Sequence, residues 1–365
     1  MTRAGRGTAL LAALCVALVI GVTGVGRASR PAPVHSETLY VFGTLVEVVI
    51  EGVPEAKARA ATAALEKEFR RLHRDWHAWD PGELGRLNDA IALGRTMEVS
   101  DDLADVLRQG KALSEASGGL FEPAIGALIA LWGFHDDLPP DGPLPDPGRI
   151  AELREARPRM ADLRFDGNRV WSVNPAVRLD LGGYAKGAAL DLAAARLTDE
   201  GINNAVLNAG GDINVIGTRG AREWRLAIRD PFGWGAVAAL SVHPGEAVYT
   251  SGNYERFLEH DGARFSHILD PRTGWPVGDI VSATVLDTNG ARADAAATAL
   301  SVAGLEQWGA TAVAMGIEAA LLIDREGRMY ATPAMAERLE LPPGGSADQA
   351  LRLTVLELPR PGGAL

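Results

Sequence analysis

The segment Arg178–Gly187 reads R-L-D-L-G-G-Y-A-K-G and holds a carboxylate, a glycine pair and a lysine close together. A glycine turn that leads into a helix leaves several backbone N–H groups unpaired at the helix start, and such groups suit a phosphate. Lys186 would lie in the first helical turn, where a cation opposes the helix dipole by up to about 1 kcal/mol. A bound anion explains this lysine better than helix stability does. In the alternative, Lys186 is solvated and Asp180 pairs with Arg178 on an exposed strand face; the spacing does not separate the two.

Asp294 and Thr298 lie four residues apart in A-D-A-A-A-T-A-L and therefore share one face of a predicted helix. Together they offer a carboxylate and a hydroxyl, hard oxygen ligands that Mg²⁺ accepts while it keeps several waters. In the alternative, Asp294 caps the helix and Thr298 bonds back to a backbone carbonyl. The spacing alone favours this alternative.

His267 is the histidine whose surroundings best suit catalysis. It lies in F-S-H-I-L-D-P-R-T-G, a predicted strand that ends in a turn at Asp270-Pro271. A hydrogen-bonded core histidine is the ordinary interpretation, because Phe265 and Leu269 share its strand face. As the one histidine flanked by such turn chemistry, it is also the best candidate for a general base.

The elements before these segments are mostly helical. Leu39–Ile50 is rich in β-branched and aromatic residues and predicts a strand with a bend at its glycine. A helix opens at Pro54, and its apolar positions recur every three or four residues to about Trp79. A second helix is predicted from Ser100, a good N-cap, to the stop at Gly118-Gly119.

Two further segments precede the second half of the chain. Gly118–Phe134 joins an aromatic-bearing turn to an apolar helix, and by itself this pattern indicates core packing. Asp136–Arg149 carries five prolines. Because proline removes backbone donors and fixes φ, this stretch is predicted to be a surface loop.

From Ala161 onward the pattern changes to short β-like runs joined by glycine-rich turns. Helices interrupt the runs at about Lys186–Asp199, Arg292–Ala303 and Leu305–Met315. Many strands joined by tight turns, with helices in clumps, predict an α+β fold whose sheet is largely antiparallel. The predicted strands are Val170–Val173, Val177–Leu181, Ala205–Leu207, Ile213–Gly217, Trp224–Arg229, Val237–Val242, Ala247–Tyr249, Arg264–Leu269, Val281–Asp287 and a hairpin over Ala320–Tyr330.

The composition excludes several classes of protein. The chain has 365 residues, with 36 Lys plus Arg against 47 Asp plus Glu, a net charge of −11, and one Cys. An acidic chain offers no clustered positive charge for a polyanion, so nucleic acid is not an expected partner. One Cys forms neither an intramolecular disulfide nor a thiolate cluster, so any metal is expected on oxygen or imidazole ligands. The length allows a large core, in one big domain or two closely packed ones.

Residues 1–28 have the pattern of a signal peptide, because two arginines precede an apolar stretch, Ala9–Val25, and Gly26-Arg27-Ala28 offers a cleavage site. The apolar stretch is about as long as a short membrane span, so an uncleaved membrane anchor is the alternative. Both interpretations predict an exported protein, in the periplasm or at the outer face of the cytoplasmic membrane. The predicted organisation after the leader is a linker over residues 29–38, one domain over residues 39–335 and a C-terminal extension over residues 336–365.

Taken together and in this order, the segments resemble the ApbE family of FAD:protein FMN transferases over about Tyr40–Tyr330. The likeness rests on V-F-G-T for the family's M-G-T, W-D-P-G-E-L-G-R-L-N for its aromatic-then-S-E-L-S-R-L-N stretch, G-L-F-E-P-A-I-G-A-L for G-x-F-D-P-T-x-G-P-L, and on L-W-G-F, L-D-L-G-G-Y-A-K-G, N-A-G-G-D-I, A-I-R-D-P, T-S-G-N-Y-E-R-F, S-H-I-L-D-P-R-T-G and A-D-A-A-A-T-A. Each motif alone is weak, whereas all of them in register along one chain are highly specific.

The resemblance implies a set of site residues. The positions that would lie against FAD are Phe42, Trp79, Leu120, Phe121, Glu122, Asp180, Lys186 and His267. Mg²⁺ would be held by Asp294, Thr298 and, by alignment, the Gly183 carbonyl, so the resemblance reverses the capping interpretation of Asp294 and Thr298. His267 and Asp294 are the implied catalytic residues, with His267 as the base or else a flavin contact.

The resemblance also implies a reaction and a partner. A Thr or Ser hydroxyl of an acceptor protein attacks the FMN-side phosphorus of FAD, AMP leaves, and FMN stays attached through a phosphoester. The acceptor would belong to an envelope-facing redox complex and carry a Thr/Ser flavinylation motif. Two other functions stay open: a FAD pyrophosphatase that releases FMN and AMP, and a flavin-binding envelope protein without enzymatic activity.

The chain departs from the family's pattern at several positions. Phe42 replaces a Met, which alters packing on the nucleotide more than chemistry. Glu122 and Ala124 replace the Asp and Thr of F-D-P-T, so a shorter carboxylate and a hydroxyl are missing from the FAD-side turn. Ala297 precedes the metal Thr where some relatives have an acidic residue, which makes the predicted ligand set minimal.

Overall fold

The computed structural model describes residues 33–135, 140–341 and 353–359. Its helices are α1 (Glu55–Trp76), α2 (Glu83–Ala92), α3 (Asp101–Ala116), α4 (Gly126–Leu131), α5 (Pro147–Glu155), α6 (Ala185–Asp199), α7 (Gly290–Ala314) and α8 (Pro333–Ala336). Its strands are β1 (Val34–Val41), β2 (Thr44–Glu51), β3 (Met97–Glu98), β4 (Leu163–Asp166), β5 (Arg169–Ser172), β6 (Ala205–Ala209), β7 (Asp212–Ile216), β8 (Trp224–Arg229), β9 (Ala236–Val242), β10 (Ala247–Gly252), β11 (Phe257–His260), β12 (Ala263–Ser266), β13 (Ile280–Asp287), β14 (Ala319–Asp324), β15 (Met329–Ala331), β16 (Leu339–Glu340) and β17 (Leu353–Val355).

A nine-stranded sheet with the order β1-β2-β6-β7-β10-β13-β14-β15-β17 forms the centre of the described structure. Its neighbouring strands pair antiparallel, except that β15 and β17 are parallel. Smaller sheets are formed by β16-β9-β8, by β3-β5-β4 and by β11-β12. The predicted α+β fold with a largely antiparallel sheet is therefore confirmed.

Alternating side chains of the central sheet fill two hydrophobic cores, as the pleat of a strand requires. In β14, Ala320 and Leu322 belong to the core shared with α1, α3, α6 and α7. Leu321 and Ile323 belong to the opposite core, against β8 and β9. Each fully buried side chain of this size stabilises the fold by about 1.5–3 kcal/mol. Among the described helices, none combines the length and the apolar character needed to cross a bilayer.

Two helices, α6 and α7, pack against each other and against the central sheet. A Cβ atom on Gly187 would lie 2.4 Å from the Gly290 carbonyl oxygen, so only glycine permits this approach. Asp191 of α6 accepts hydrogen bonds from the backbone N–H groups of Gly290 and Ala291, at 2.9 and 3.0 Å, and so fixes the start of α7. Non-helical backbone at Gly304 divides α7 where the sequence predicts two separate helices.

Two predictions about the first half of the chain are wrong. Leu39–Ile50 is not one bent strand, because β1 and β2 form a hairpin whose turn lies at Phe42-Gly43. Both turn residues have positive φ, 56° and 68°, which the continuous β-branched pattern hides. Residues 34–38, which the sequence assigns to a linker, belong to β1. The predicted leader, residues 1–28, and residues 29–32 of the predicted linker lie outside the described residues.

Val177–Leu181 is not a strand of any described sheet, although its predicted alternation of buried and exposed side chains is present. Its backbone pairs with the loop before α4, where Asp180 N–H donates to the Pro123 carbonyl at 2.8 Å. Asn88 takes the place of a second strand, because its side chain bonds both the N–H and the carbonyl of Leu179, at 2.7 and 2.9 Å.

Regular structure also lies where the sequence predicts a loop or an extension. In the proline-rich stretch Asp136–Arg149, residues 136–139 lie outside the described residues, and α5 already begins at Pro147 with Asp146 as its N-cap. In the predicted C-terminal extension, β16 pairs with β9 and β17 pairs with β15. The described parts of residues 336–365 therefore add strands to two sheets.

Candidate active site

The glycine turn before α6 is held from both sides. Tyr184 is fully buried, and its hydroxyl donates to the Val106 carbonyl at 2.8 Å. Asp180 accepts a hydrogen bond from the Gly182 N–H at 2.8 Å. A Cβ atom on Gly183 would lie 3.3 Å from the Phe121 ring and 3.7 Å from Thr298 Oγ1. Gly183 therefore lies close to both side chains.

The predicted metal ligands come together at this turn. Asp294 is 6% exposed, and its Oδ2 accepts a hydrogen bond from the Gly187 N–H at 3.1 Å. Thr298 is half-buried, and its Oγ1 lies 3.1 Å from Ser251 Oγ. The capping alternative for Asp294 is wrong, because Asn289 is the N-cap of α7 and accepts from the Arg292 N–H at 2.7 Å. We call Gly183, Asp294 and Thr298 the metal corner.

Lys186 contacts a carboxylate of its own chain, since its Nζ donates to Oδ2 of Asp212 in an ion pair. Asp212 is buried, and its other oxygen accepts from the Thr250 N–H at 3.1 Å. Burial lowers the pKa of Lys186, but the Asp212 and Asp294 carboxylates outweigh that effect and leave the pKa raised. The sequence offers two interpretations of Lys186, a solvated side chain or a ligand for a bound anion. Neither of them predicts the ion pair with Asp212.

The corner carries an excess of negative charge. Burial and then the Asp212 carboxylate raise the pKa of Asp294 well above its ordinary value. Glu255 adds a third carboxylate, and burial raises its pKa to about 7 although Lys186 opposes this shift. The Asp294 carboxylate, the Thr298 hydroxyl and the Gly183 turn offer hard oxygen donors of the kind that Mg²⁺ accepts together with several waters. Among the described residues, no group of three or more His, Cys, Asp or Glu side chains is arranged to hold a metal.

His267 lies just beyond the end of β12, not within a strand as predicted. Its backbone N–H donates to the Arg256 carbonyl at 3.0 Å, and its ring Nδ1 lies 3.1 Å from the same oxygen. Because a carbonyl only accepts, Nδ1 carries the ring proton and Nε2 keeps a free lone pair. Burial, together with the smaller effect of the Arg256 and Lys186 charges, lowers the pKa of His267 to about 4, although the hydrogen bond to the Arg256 carbonyl opposes this shift. The ring is therefore neutral at pH 7.

Trp79 and Asp180, two of the predicted FAD contacts, bind each other. The Trp79 indole N–H donates to Asp180 Oδ2 at 3.0 Å. The guanidinium of Arg178 lies 4.3 Å from the centre of the Trp79 ring, and His135 packs 5.3 Å from it. Asp180 is therefore tied to the aromatic wall and to the glycine turn, rather than paired with Arg178.

Phe42 belongs to a separate part of the site, on the turn of the β1–β2 hairpin. Its ring meets Phe69 edge-on at 5.6 Å and His73 at 5.8 Å, both on α1. The structure thus places Phe42 against α1, whereas Phe121 packs 5.4 Å from Tyr184 beside the metal corner. Leu120 next to it is buried, with 8% exposure.

The carboxylate of Glu122 is directed into the protein. It accepts hydrogen bonds from Met160 N–H at 2.8 Å, Ala124 N–H at 3.2 Å and Ser114 Oγ at 3.0 Å. Burial raises the pKa of Glu122 to about 7, although the three donors oppose this shift. The position predicted to lie against FAD therefore ties the turn before α4 to α3 and to the Met160 segment.

Three residues at or near the corner, Asp212, Ser251 and Glu255, are not predicted as site residues, although the motifs N-A-G-G-D-I and T-S-G-N-Y-E-R-F contain them. One sequence feature could have indicated a role for Asp212: it is an acidic residue at a buried strand position directly after a glycine pair. Ser251 and Glu255 lie in one polar stretch with Arg256, whose carbonyl holds His267. The segment 251–256 therefore connects the metal corner to the candidate base.

Comparison with known proteins places this geometry in a family. The model of the ApbE family matches residues 42–321. A Rhodobacter capsulatus protein named FAD:protein FMN transferase is 54% identical over 348 residues, 95% of this chain and 66% of that protein, so this chain spans just under two thirds of that relative. A Treponema pallidum protein with the same name is 34% identical over 313 residues, 80% of this chain and 85% of that protein. The crystal structure of the ApbE protein from Thermotoga maritima matches with a TM-score of 0.77 at 28% identity, covering 84% of this chain and 99% of that chain. The family that the motifs predict is confirmed, and the chain belongs to the ApbE family.

Proposed function

We propose that the chain transfers FMN from FAD to a Thr or Ser hydroxyl of an acceptor protein, in a reaction that depends on Mg²⁺ and releases AMP. Two relatives are named FAD:protein FMN transferase. The observation that carries the proposal for this chain is the convergence of Gly183, Asp294 and Thr298 beside the start of α6. A helix start and a cation site at one point suit a diphosphate.

Asp294, Thr298 and the Gly183 carbonyl would hold Mg²⁺. When bound, the cation neutralises diphosphate oxygens and stabilises the charge that develops on the leaving phosphate. Lys186 brings positive charge to the first turn of α6, where Asp212 fixes its ammonium group in an ion pair. Phosphoryl transfer asks a protein mainly for positioning and charge neutralisation, and these residues supply both.

His267 accepts the proton of the incoming hydroxyl. The Arg256 carbonyl fixes the tautomer that leaves Nε2 unprotonated. In the balanced step, the acceptor oxygen forms a bond to the FMN-side phosphorus, the bond from that phosphorus to the bridging oxygen breaks, and AMP leaves with the bridging oxygen. A diphosphate bound beside the ring would raise the pKa of His267 toward neutral pH, as a nearby negative charge does.

The remaining predicted contacts would position the flavin nucleotide. The Trp79 ring lies beside Asp180, and the buried Phe121 and Leu120 support the Gly183 turn. Phe42 would add apolar surface at the β1–β2 hairpin. We place the acceptor on an envelope-facing redox complex and the chain itself outside the cytoplasm, because of the pattern of residues 1–28.

One assay separates this function from its alternatives. The full chain is incubated with FAD, Mg²⁺ and a candidate acceptor, and the denatured acceptor is examined for flavin fluorescence while free AMP is measured. A fluorescent acceptor with AMP supports transfer, AMP with free FMN indicates a pyrophosphatase, and neither product indicates flavin binding alone. Thr298→Ser, which keeps the hydroxyl, should remain active, whereas Thr298→Val should not.

A further inference from the structure

A positively charged groove lies on the far side of the turn that carries Phe121. Its cavity has a volume of about 260 Å³. Four arginines line it above a mostly buried apolar floor that includes Ile125, Leu128 and Leu153. The arginines of this arginine groove are Arg154, Arg157, Arg159 and Arg272.

Only some of the arginines that line the groove pair with carboxylates of the chain. Arg272 pairs with Asp270 at 2.9 Å, and Arg154 lies 3.7 Å from Glu155. Arg157 and Arg159 are exposed and pair with no carboxylate in the part of the chain that the structure describes. Glu122 also lines the groove, but its oxygens are taken by three internal donors. The groove is thus a positive patch on a chain of net charge −11.

The groove is held on fixed backbone. The Asn174 side chain donates to the Ala156 and Arg157 carbonyls at 3.0 and 3.2 Å. Arg157 itself has a φ of 48°, a left-handed conformation that a residue with a side chain rarely adopts without such support. The Arg159 N–H donates to Asp162 Oδ2 at 3.2 Å, so the loop that carries both arginines is held by side chains near each of them.

Both walls of the groove continue into the active site. Glu122 lines the groove, while the preceding Phe121 lies beside Gly183 of the metal corner. Pro271 lies four residues after His267, so their Cα atoms are at most roughly 14 Å apart. A polypeptide segment that carries the reacting hydroxyl can therefore reach the groove within a few residues.

We propose that the arginine groove binds an acidic segment of the acceptor protein close to the hydroxyl that receives FMN. The volume is below the 300–1,000 Å³ typical of pockets that enclose a whole small ligand, so it fits part of a larger partner. Unpaired arginines select carboxylates, and the apolar floor accepts a neighbouring aliphatic side chain. This inference rests on the proposed function, because it describes the acceptor of that reaction.

The test is a binding selection with the full chain, FAD and Mg²⁺. The probe is a synthetic peptide library with one fixed central threonine and all other positions randomised. We expect retained peptides to be enriched about threefold or more in Asp and Glu near the threonine. Arg157→Glu/Arg159→Glu should abolish this enrichment or invert it toward Lys and Arg. The matched control is Arg59→Glu/Arg70→Glu, which makes the same charge change at two exposed arginines of α1 and should behave as the unmodified chain.

Two results would overturn the proposal. One is the absence of acidic enrichment with the unmodified chain, or the same enrichment with all three proteins. The other is a tenfold loss of FAD affinity in Arg157→Glu/Arg159→Glu but not in the control, which would assign the groove to the nucleotide. An unchanged FAD affinity also shows that the variant is folded. Flavin on the retained peptides is measured separately. Charge-dependent retention of peptides that carry no FMN would contradict the proposed transferase function but would still support acidic-peptide binding in the arginine groove.

Discussion

The metal corner and the turn around Glu122 both bury carboxylates, but they use them differently. Glu122 accepts from three neutral donors of its own fold, so its oxygens are occupied. Asp294 has the Gly187 N–H at 3.1 Å as its donor and faces Asp212 and Glu255 across a single lysine. A buried carboxylate is therefore structural where neutral donors of the fold satisfy it, and available to a ligand where negative charge is left in excess.

The largest expected effect is at the metal corner. Asp294→Ala should lower FMN transfer at least about 1,000-fold, because the cation contributes several kcal/mol to the transition state. Its melting temperature should be unchanged or higher, since the substitution removes one of three crowded carboxylates. The measurements are AMP release and thermal unfolding. Mg²⁺-dependent activity within tenfold of the unmodified chain would remove Asp294 from the ligand set.

The second prediction concerns Glu122. Glu122→Ala should lower the free energy of unfolding by about 3 kcal/mol, because three buried donors lose their acceptor. FAD affinity should change less than about threefold, a difference of under 1 kcal/mol. Denaturant unfolding and flavin titration measure the two quantities. If the free energy of unfolding were unchanged and FAD binding were weakened, Glu122 would instead have the FAD-contacting role that the family resemblance implies.

A smaller effect is expected at Ser251, whose hydroxyl lies 3.1 Å from Thr298 Oγ1. Ser251→Ala should raise the Mg²⁺ concentration needed for half-maximal activity by about tenfold, as the loss of a group that orients a metal ligand does. Ser301→Ala, on the helix that carries Thr298, is the control, because the Ser301 hydroxyl donates to the Ala297 carbonyl. An equal Mg²⁺ requirement in the two variants would show that Ser251 does not orient Thr298.

The smallest effect is a pH dependence of stability. Burial raises the pKa of Glu122 from 4.5 to about 7, so the folded chain holds this proton more tightly than the unfolded chain does. The contribution of Glu122 to stability is therefore full below pH 4.5 and is lost as pH rises toward 7. Glu122→Gln carries no such proton, so the melting temperature of the unmodified chain should fall relative to that of the variant over this range. A constant difference between the two would contradict the burial of an ionisable Glu122.

Local patterns predict much of the fold, whereas contacts distant in sequence are harder to foresee. The periodic helices, the Ser100 cap and the interruption at Gly304 follow from propensity and spacing, and the structure confirms them. The Lys186–Asp212 pair does not follow, because strands β6 and β7 bring together residues that are 26 positions apart. The hairpin at Phe42-Gly43 is hidden because β-branched residues continue on both sides of the turn. Val177–Leu181 alternates as a strand does, yet an asparagine side chain and a loop supply its partners.

In the candidate site, too, local spacing predicts some features, whereas contacts between distant parts of the chain are not predicted. Spacing places Asp294 and Thr298 on one helix face, but only the fold shows Gly183 beside Thr298 and the excess of carboxylates around Lys186. Glu122 is the reverse case, because its motif position implies a ligand contact, whereas the structure shows its carboxylate occupied by donors from Ser114, Ala124 and the distant Met160. Sequence identifies the groups that can act, and tertiary donors decide which of them stay available.

The most direct test of the central claim is the position of the cation and the diphosphate. Crystals grown with FAD and Mn²⁺, which replaces Mg²⁺ and scatters anomalously, would locate both. We expect an anomalous peak about 2.1 Å from the oxygens of Asp294, Thr298 and Gly183, with the diphosphate at the start of α6. A peak elsewhere, or a diphosphate bound in the arginine groove, would contradict it.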